Sequence, residues 1–200
     1  MRQLAMNAMK FCIPRVLSRL ARDRRGSSAV EFAIIAPLML GLYIGCVEIS
    51  DGVAADRKVT LTAGALANLA SQVQTIDATG MSNIMNAATA IISPYSAGNL
   101  TTTLTCIKID ATKNATVAWS STVGGTAHSG SITIPSEIAV ASSSLVLAEV
   151  TYLYKPVTGY IPAWSHIAAT GITLSDKMYM SPRITAPVYD DGSGGKSCTP

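Results

Sequence analysis

The sequence predicts an α+β chain: an N-terminal membrane-spanning helix that continues into a polar helix, followed by a small antiparallel β-sheet domain. Three observations predict it. A 21-residue apolar stretch, Ala29 to Ile49, stands directly behind a basic leader. Beyond it, apolar residues recur at helical spacing as far as Ile92, and from Asn99 onward the composition turns to Thr, Ser and β-branched residues, the side chains that suit a pleated sheet. The chain divides accordingly into a basic leader (1–26), a transmembrane helix (27–50), a helical segment (51–92), a β-rich domain (93–187) and a flexible tail (188–200).

The leader carries seven Lys and Arg against Asp23, so the net charge of +3 for 200 residues conceals a leader of +6 and a remainder of −3. Only 14% of the residues are charged while 48% are hydrophobic, which excludes charge-rich disorder and a large multidomain enzyme. No nucleic-acid partner is expected, because the basic residues end at the edge of an apolar run instead of being interleaved with aromatics on a folded face. The positive-inside rule uses such a cluster to fix topology: the leader is expected to be cytoplasmic and the residues beyond 50 outside.

As a helix, Ala29 to Ile49 rises about 31 Å, close to the ~30 Å hydrocarbon core. Glu31 and Glu48 bound the uninterrupted run Phe32 to Val47 and belong near the two interfaces. Pro37 predicts a kink that a membrane helix tolerates. Ala29, Ala33, Pro37, Gly41 and Gly45 recur every fourth residue, and Gly41 and Gly45 form the kind of small-residue face that lets another helix approach.

After the span, Leu61, Ala65, Leu69 and Val73 recur at i+4, with Val53, Leu66 and Ile76 nearby, and predict one apolar stripe on a helix from about 52 to 76, which Asp77 to Gly80 should end. A second helix, about 81–92, should bury Met81, Ile84, Met85, Ala88 and Ile91 and stop at Ser93-Pro94. Strands are expected at 101–109, 115–120, 131–134, 145–154 and 172–180. Alternation places Val146, Ala148, Val150, Tyr152 and Tyr154 on one face of the fourth strand, and Ile172, Leu174, Met178 and Met180 on one face of the fifth. The loop from Pro156 to Gly171, with Tyr160, Pro162, Trp164 and His166, is read as packed or as a surface contact.

The junction between leader and span carries the most information. Arg24-Arg25-Gly26-Ser27-Ser28-Ala29-Val30-Glu31-Phe32 sets a basic pair and a glycine before four small or apolar residues and a Glu-Phe pair. A secretory signal would instead place a small-x-small site soon after its apolar core, and the first such site, Val53-Ala54-Ala55, lies beyond Glu48 and Asp51. The junction resembles the class III leader of prepilins. Residues 24–71 as a whole resemble the TadE-like family of the Flp/Tad pilus machinery, and VLAEVTYLYKP and Ser181-Pro182-Arg183 look like that family's C-terminal strands. TadG-like proteins share the same N-terminal segment, and the length of this chain favours the TadE side.

The resemblance implies a pilin-like order of helix then sheet and a non-enzymatic structural role as a minor pseudopilin of a Flp/Tad-type pilus or related secretion machinery. It implies cleavage between Gly26 and Ser27 by a prepilin peptidase, a recognition or assembly role for Glu31 and Phe32, and location in the bacterial inner membrane as a single pass with the C-terminal domain periplasmic. Other pseudopilins and subunits of the pilus-assembly platform are the implied partners, and energy must come from a separate ATPase. Two rivals remain open: a membrane-anchored binding module that is never cut at Gly26, and a secreted enzyme released after Ala55.

Of four cysteines, Cys12 falls in the leader and Cys46 in the span, so only Cys106 and Cys198 are expected to meet an oxidising compartment, where a disulfide between them is possible if their Cα atoms come within roughly 7 Å. No metal site, cofactor or catalytic residue is expected. His128 and His166 are far apart and no CxxC exists. Gly195-Lys196-Ser197 fails as a phosphate loop because Asp190 replaces its first glycine and no helix can follow. Ser165-His166 lacks the context of a nucleophile elbow.

Overall fold

The computed structural model describes residues 26–156, 170–192 and 194–200. The leader, with Cys12 and its arginines, and the aromatic loop with Tyr160, Pro162, Trp164 and His166 lie outside the described residues. The chain separates into two units, Met1–Val47 and Glu48–Pro200. The described part of the first is helical and exposes its apolar side chains, Phe32 to 71%.

Helix α1, Ser27–Ser71, is a single element of 45 residues that includes Pro37. It stops short of the expected 76, and Thr75–Asp77 is an extended strand, β1. The expected stripe is buried only in part: Leu66, and Ile76 on β1, are buried, whereas the i+4 set stays partly or largely exposed. Leu61 is 63% exposed, and Leu69 and Val73 are over a third exposed, whereas Ala55, Val59, Ala63, Leu66, Ala67 and Ala70 are fully buried. Strict i+4 repetition advances about 40° per step around a helix with 3.6 residues per turn, so such a set drifts off any one face. The buried set mixes steps of three and four and stays on one.

Helix α2, Ala78–Ile92, starts earlier than expected because Asp77 does not end a helix but caps one: its Oδ1 accepts from Gly80 N at 2.6 Å. Met81, Met85, Ala88 and Ile92 are buried, so the last core position is Ile92 in place of Ile91, and Ile84 packs at the margin. The Nζ of Lys58 donates to the carbonyls of Ile91 (3.1 Å) and Ser93, satisfying the end of the helix where Pro94 stops it.

Strands β2 (Leu100–Ile109), β3 (Ala115–Val123), β4 (Ser143–Tyr154) and β5 (Ile172–Met180) form an antiparallel sheet in the order β3-β2-β4-β5. The β4 alternation is as expected, with Val146, Ala148, Val150, Tyr152 and Tyr154 all buried in the main core with α2 and the Glu48–Ser71 part of α1. On β5, Leu174, Met178 and Met180 pack against this core, while Ile172 remains 43% exposed. Gly171 precedes β5 with φ +76, and a Cβ there would stand 2.9 Å from both Leu153 Cδ1 and Tyr154 O, so the position requires glycine.

Residues 131–134 are not a strand. Ser131 makes one isolated bridge to Thr116, and Ile132 and Ile134 turn inward with Ile138 to cover Ile107, Ile109, Leu145 and Leu147, a second core on the other face of the sheet. The alternating Ile-Thr-Ile that suggested a strand is thus a loop with two inward anchors, ended by Pro135. The tail also departs from its reading as a loose end: β6 (Val188–Asp190) runs parallel to β1 and β7 (Lys196–Ser197) antiparallel to β6, and Cys198 is fully buried.

Candidate functional site

Gly26 immediately precedes α1, and among the described residues an added Cβ there would meet nothing within 4 Å. Serine opens the helix at Ser27, and Glu31 and Phe32 occupy its second turn, both exposed. Glu31 places a carboxylate among Val30, Phe32, Ile34 and Ile35, all more than half exposed. Such a surface is costly in water, and an ionisable group within it is a functional feature when the surface is in lipid.

Gly41 and Gly45 are likewise open, with no atom within 4 Å of an added Cβ among the described residues. By length and composition the helix is long and apolar enough to cross a membrane, and among the described residues nothing packs against these two glycine positions.

The sheet domain supplies contact surfaces and bracing. Cys106 on β2 and Cys198 behind β7 form a disulfide with Cα atoms 6.0 Å apart, closing a separation of 92 residues. Trp119 on β3 donates its indole N–H to the carbonyl of Pro187 (3.1 Å) and packs against Tyr189 of β6, so the same corner is held by a ring, a hydrogen bond and a covalent bridge. A bulge between Cys106 and Ile107, opposite Val117 to Trp119, brings Trp119 into register with Cys106.

On the other face, Glu149 of β4 pairs with Lys177 of β5 (2.5 Å) and with Nε2 of His128. Partial burial pushes the Glu149 carboxyl upward, but hydrogen bonds from Lys177 and His128, with their charges, outweigh it and hold the group below the ordinary carboxylate range. Thr103 with Thr122 (3.0 Å) and Thr105 with Ser120 (2.8 Å) extend this polar patch across β2 and β3, and the backbone N–H of His128 donates to Ser120 Oγ. Sequence reasoning missed the Glu149 cluster, since its members are 21 and 28 residues apart and meet only through strand register. This is a loop fastening: the His128 ring engages Glu149, not Ser120, so it does not form a nucleophile–base pair.

Where α1 meets the sheet, a second polar group surrounds Glu48, which is 6% exposed. Tyr154 donates to the Glu48 carbonyl (3.5 Å), and Tyr95 donates to the carbonyl and carboxylate of Asp51 (3.0 and 3.3 Å). The two rings meet edge to face at 6.4 Å. Burial first, then the charges of Glu48 and Asp51, push the Tyr154 phenol up to about 12. Among the described residues no group of three or more His, Cys, Asp or Glu side chains is arranged to hold a metal ion.

No curated protein and no solved structure matches the chain. The likeness read from the sequence is found over part of the chain: residues 26–67, along α1, match the family of TadE-like proteins, a family associated with the Flp/Tad pilus.

Proposed function

We propose that the chain is a minor pseudopilin of a Flp/Tad-type pilus or related secretion machinery, a structural and assembly subunit without an enzymatic role. A prepilin peptidase removes residues 1–26 at the cytoplasmic face. Ser27 becomes the amino terminus and Glu31 the fifth residue of the mature chain. Its carboxylate pairs with a terminal ammonium, of its own chain or a neighbour's, and so sets register between subunits. The helix from Ser27 stays in the inner membrane, with the sheet domain on the periplasmic side, and Gly41 and Gly45 present a packing face to other subunits of the assembly platform.

One observation carries this reading: the family match opens at Gly26, the residue the junction puts before the cut, and continues along the exposed apolar helix. The six net positive charges before it support the orientation.

The test is the intact mass and N-terminal sequence of the membrane-bound protein, with and without prepilin peptidase. A chain that starts at Ser27 only when the peptidase is present, and not at all after Gly26→Ala, is the expected result. A chain that keeps its leader in the presence of the peptidase overturns the proposal in favour of an uncut anchored module, and one starting at Asp56 would make the span a signal peptide.

A further inference from the structure

A groove of about 380 Å³ lies between the Glu48–Asp56 stretch of α1 and the end of β4 with the start of β5. Ile49 and Val53 from the helix, Ile172 and Leu174 from β5, Pro156 and the ring of Tyr154 line it, so its open surface is almost wholly apolar. Glu48 borders the groove but is buried, and so presents no charge to an occupant. Ile49, Val53 and Ile172 are 57%, 47% and 43% exposed and form apolar lips. Grouped exposed side chains of this kind mark a contact surface.

We propose that this edge of the sheet domain lies on the surface of the bilayer, with Ile49, Val53 and Ile172 seated in the interfacial layer. The proposal rests on the reading of residues 27–50 as a membrane anchor. Depth selects the occupant. The apolar run ends at Val47, and the interfacial layer beyond the hydrocarbon is about 5–7 Å thick on each side. At about 1.5 Å per residue, Ile49 stands about 3 Å and Val53 about 9 Å past the end of the run, within that layer and at its outer edge. Tyr154 brings the sheet to the same depth: its hydroxyl donates to the Glu48 carbonyl (3.5 Å), and Ile172 is its register partner on β5. Tyr154 and Tyr95, rings with a polar tip, are the aromatics that settle at a membrane interface. Apolar side chains supply the contact, so no headgroup is singled out.

The full chain is reconstituted in phospholipid vesicles with Cys12 and Cys46 replaced by serine and the Cys106–Cys198 bridge kept. A nitroxide is attached at one position at a time through Ile172→Cys, Leu40→Cys or Val140→Cys, exposed sites that accept a label without repacking. Val140 precedes β4, at the end remote from Tyr154, and serves as the water reference, while Leu40 reports the span. Collision with oxygen, which concentrates in lipid, is compared with collision with a water-soluble nickel chelate.

At 172 the oxygen-to-chelate ratio is expected to be several-fold that at 140, and the same in vesicles with and without anionic phosphatidylglycerol. With Ile49→Asn and Val53→Asn also made, it should fall towards the value at 140. A ratio at 172 equal to that at 140 overturns the proposal, and so does one that the asparagines leave unmoved, since the label alone then meets lipid. A rise confined to anionic vesicles overturns it too, because charge and not the apolar lips then holds the domain. A label at 172 shielded from both reagents also defeats it: with spin–spin broadening the occupant is a second copy of the chain, and without broadening it is residues 157–169. Position 40 keeps the two readings apart. Lipid contact at 40 with water contact at 172 defeats only this proposal, whereas a label at 40 as open to the chelate as one at 140 defeats the anchor reading.

Discussion

Cys106 and Cys198 illustrate what single residues can and cannot announce. Compartment alone singled them out, since the other two cysteines belong to the leader and the span, but their proximity depends on the tail folding back along β1. A bridge closing 92 residues restricts the unfolded chain strongly. Replacing both by alanine should cost about 3–5 kcal/mol, read as a lower denaturant midpoint for the sheet domain in the full chain. Glu149 gives a pH prediction with a fixed sign. Its folded carboxyl titrates below the ordinary value of 4.5, so its stabilisation is present above that value and is lost as pH falls through the lower folded one. Lys177 is 62% exposed and solvent screens the pair, so the contribution is no more than about 1 kcal/mol. Between pH 5 and 3, thermal unfolding of Glu149→Gln should fall less steeply than that of wild type. Nothing local in the sequence marks Glu149, because its meaning comes from β5 and from a loop.

At the scale of elements, strands proved more legible than helix phase. A strand has period two, so the set Val146, Ala148, Val150, Tyr152 and Tyr154 declares one buried face, although Leu147 on the other face is buried in the second core. A helix rich in alanine does not: Ala55, Ala63, Ala67 and Ala70 are fully buried beside Leu66, while Leu61, of the same bulk, is exposed. The two leucines separate these readings. Leu66→Ala, at a fully buried site, should cost roughly 2–5 kcal/mol, while Leu61→Ala should stay within about 0.5 kcal/mol, as urea unfolding of the two variants can decide. Asp77 was assigned a stop because Asp and Gly cluster there, yet the same chemistry starts a helix when an apolar period follows. Asp77→Ala should therefore destabilise by about 1 kcal/mol through α2.

For the whole molecule, the order of long apolar helix, second helix and sheet was legible because each part has its own composition. The closure of the tail was not, since VYDDGSGGKSC has too few apolar residues to reveal pairing. Its effect is global. β6 is a strand partner of β1, Val188 N donates to Gln74 O (2.9 Å), and Tyr189 stacks on Trp119, so the last residues hold the link between α1 and α2 against the β2–β3 corner. Ending the chain after Pro187 removes all of this together with the bridge. The loss should exceed that of the double cysteine variant, because strand pairing and the Tyr189 contact go as well, and limited proteolysis should then open residues 72–78, which are protected in the cysteine variant. Membrane retention provides the control: the span makes its case through residues 27–50 alone, so the shortened chain should float with vesicles as wild type does. A shortened chain that unfolds no more readily than the cysteine variant would show that the bridge, and not the β1–β6 pair, closes the domain.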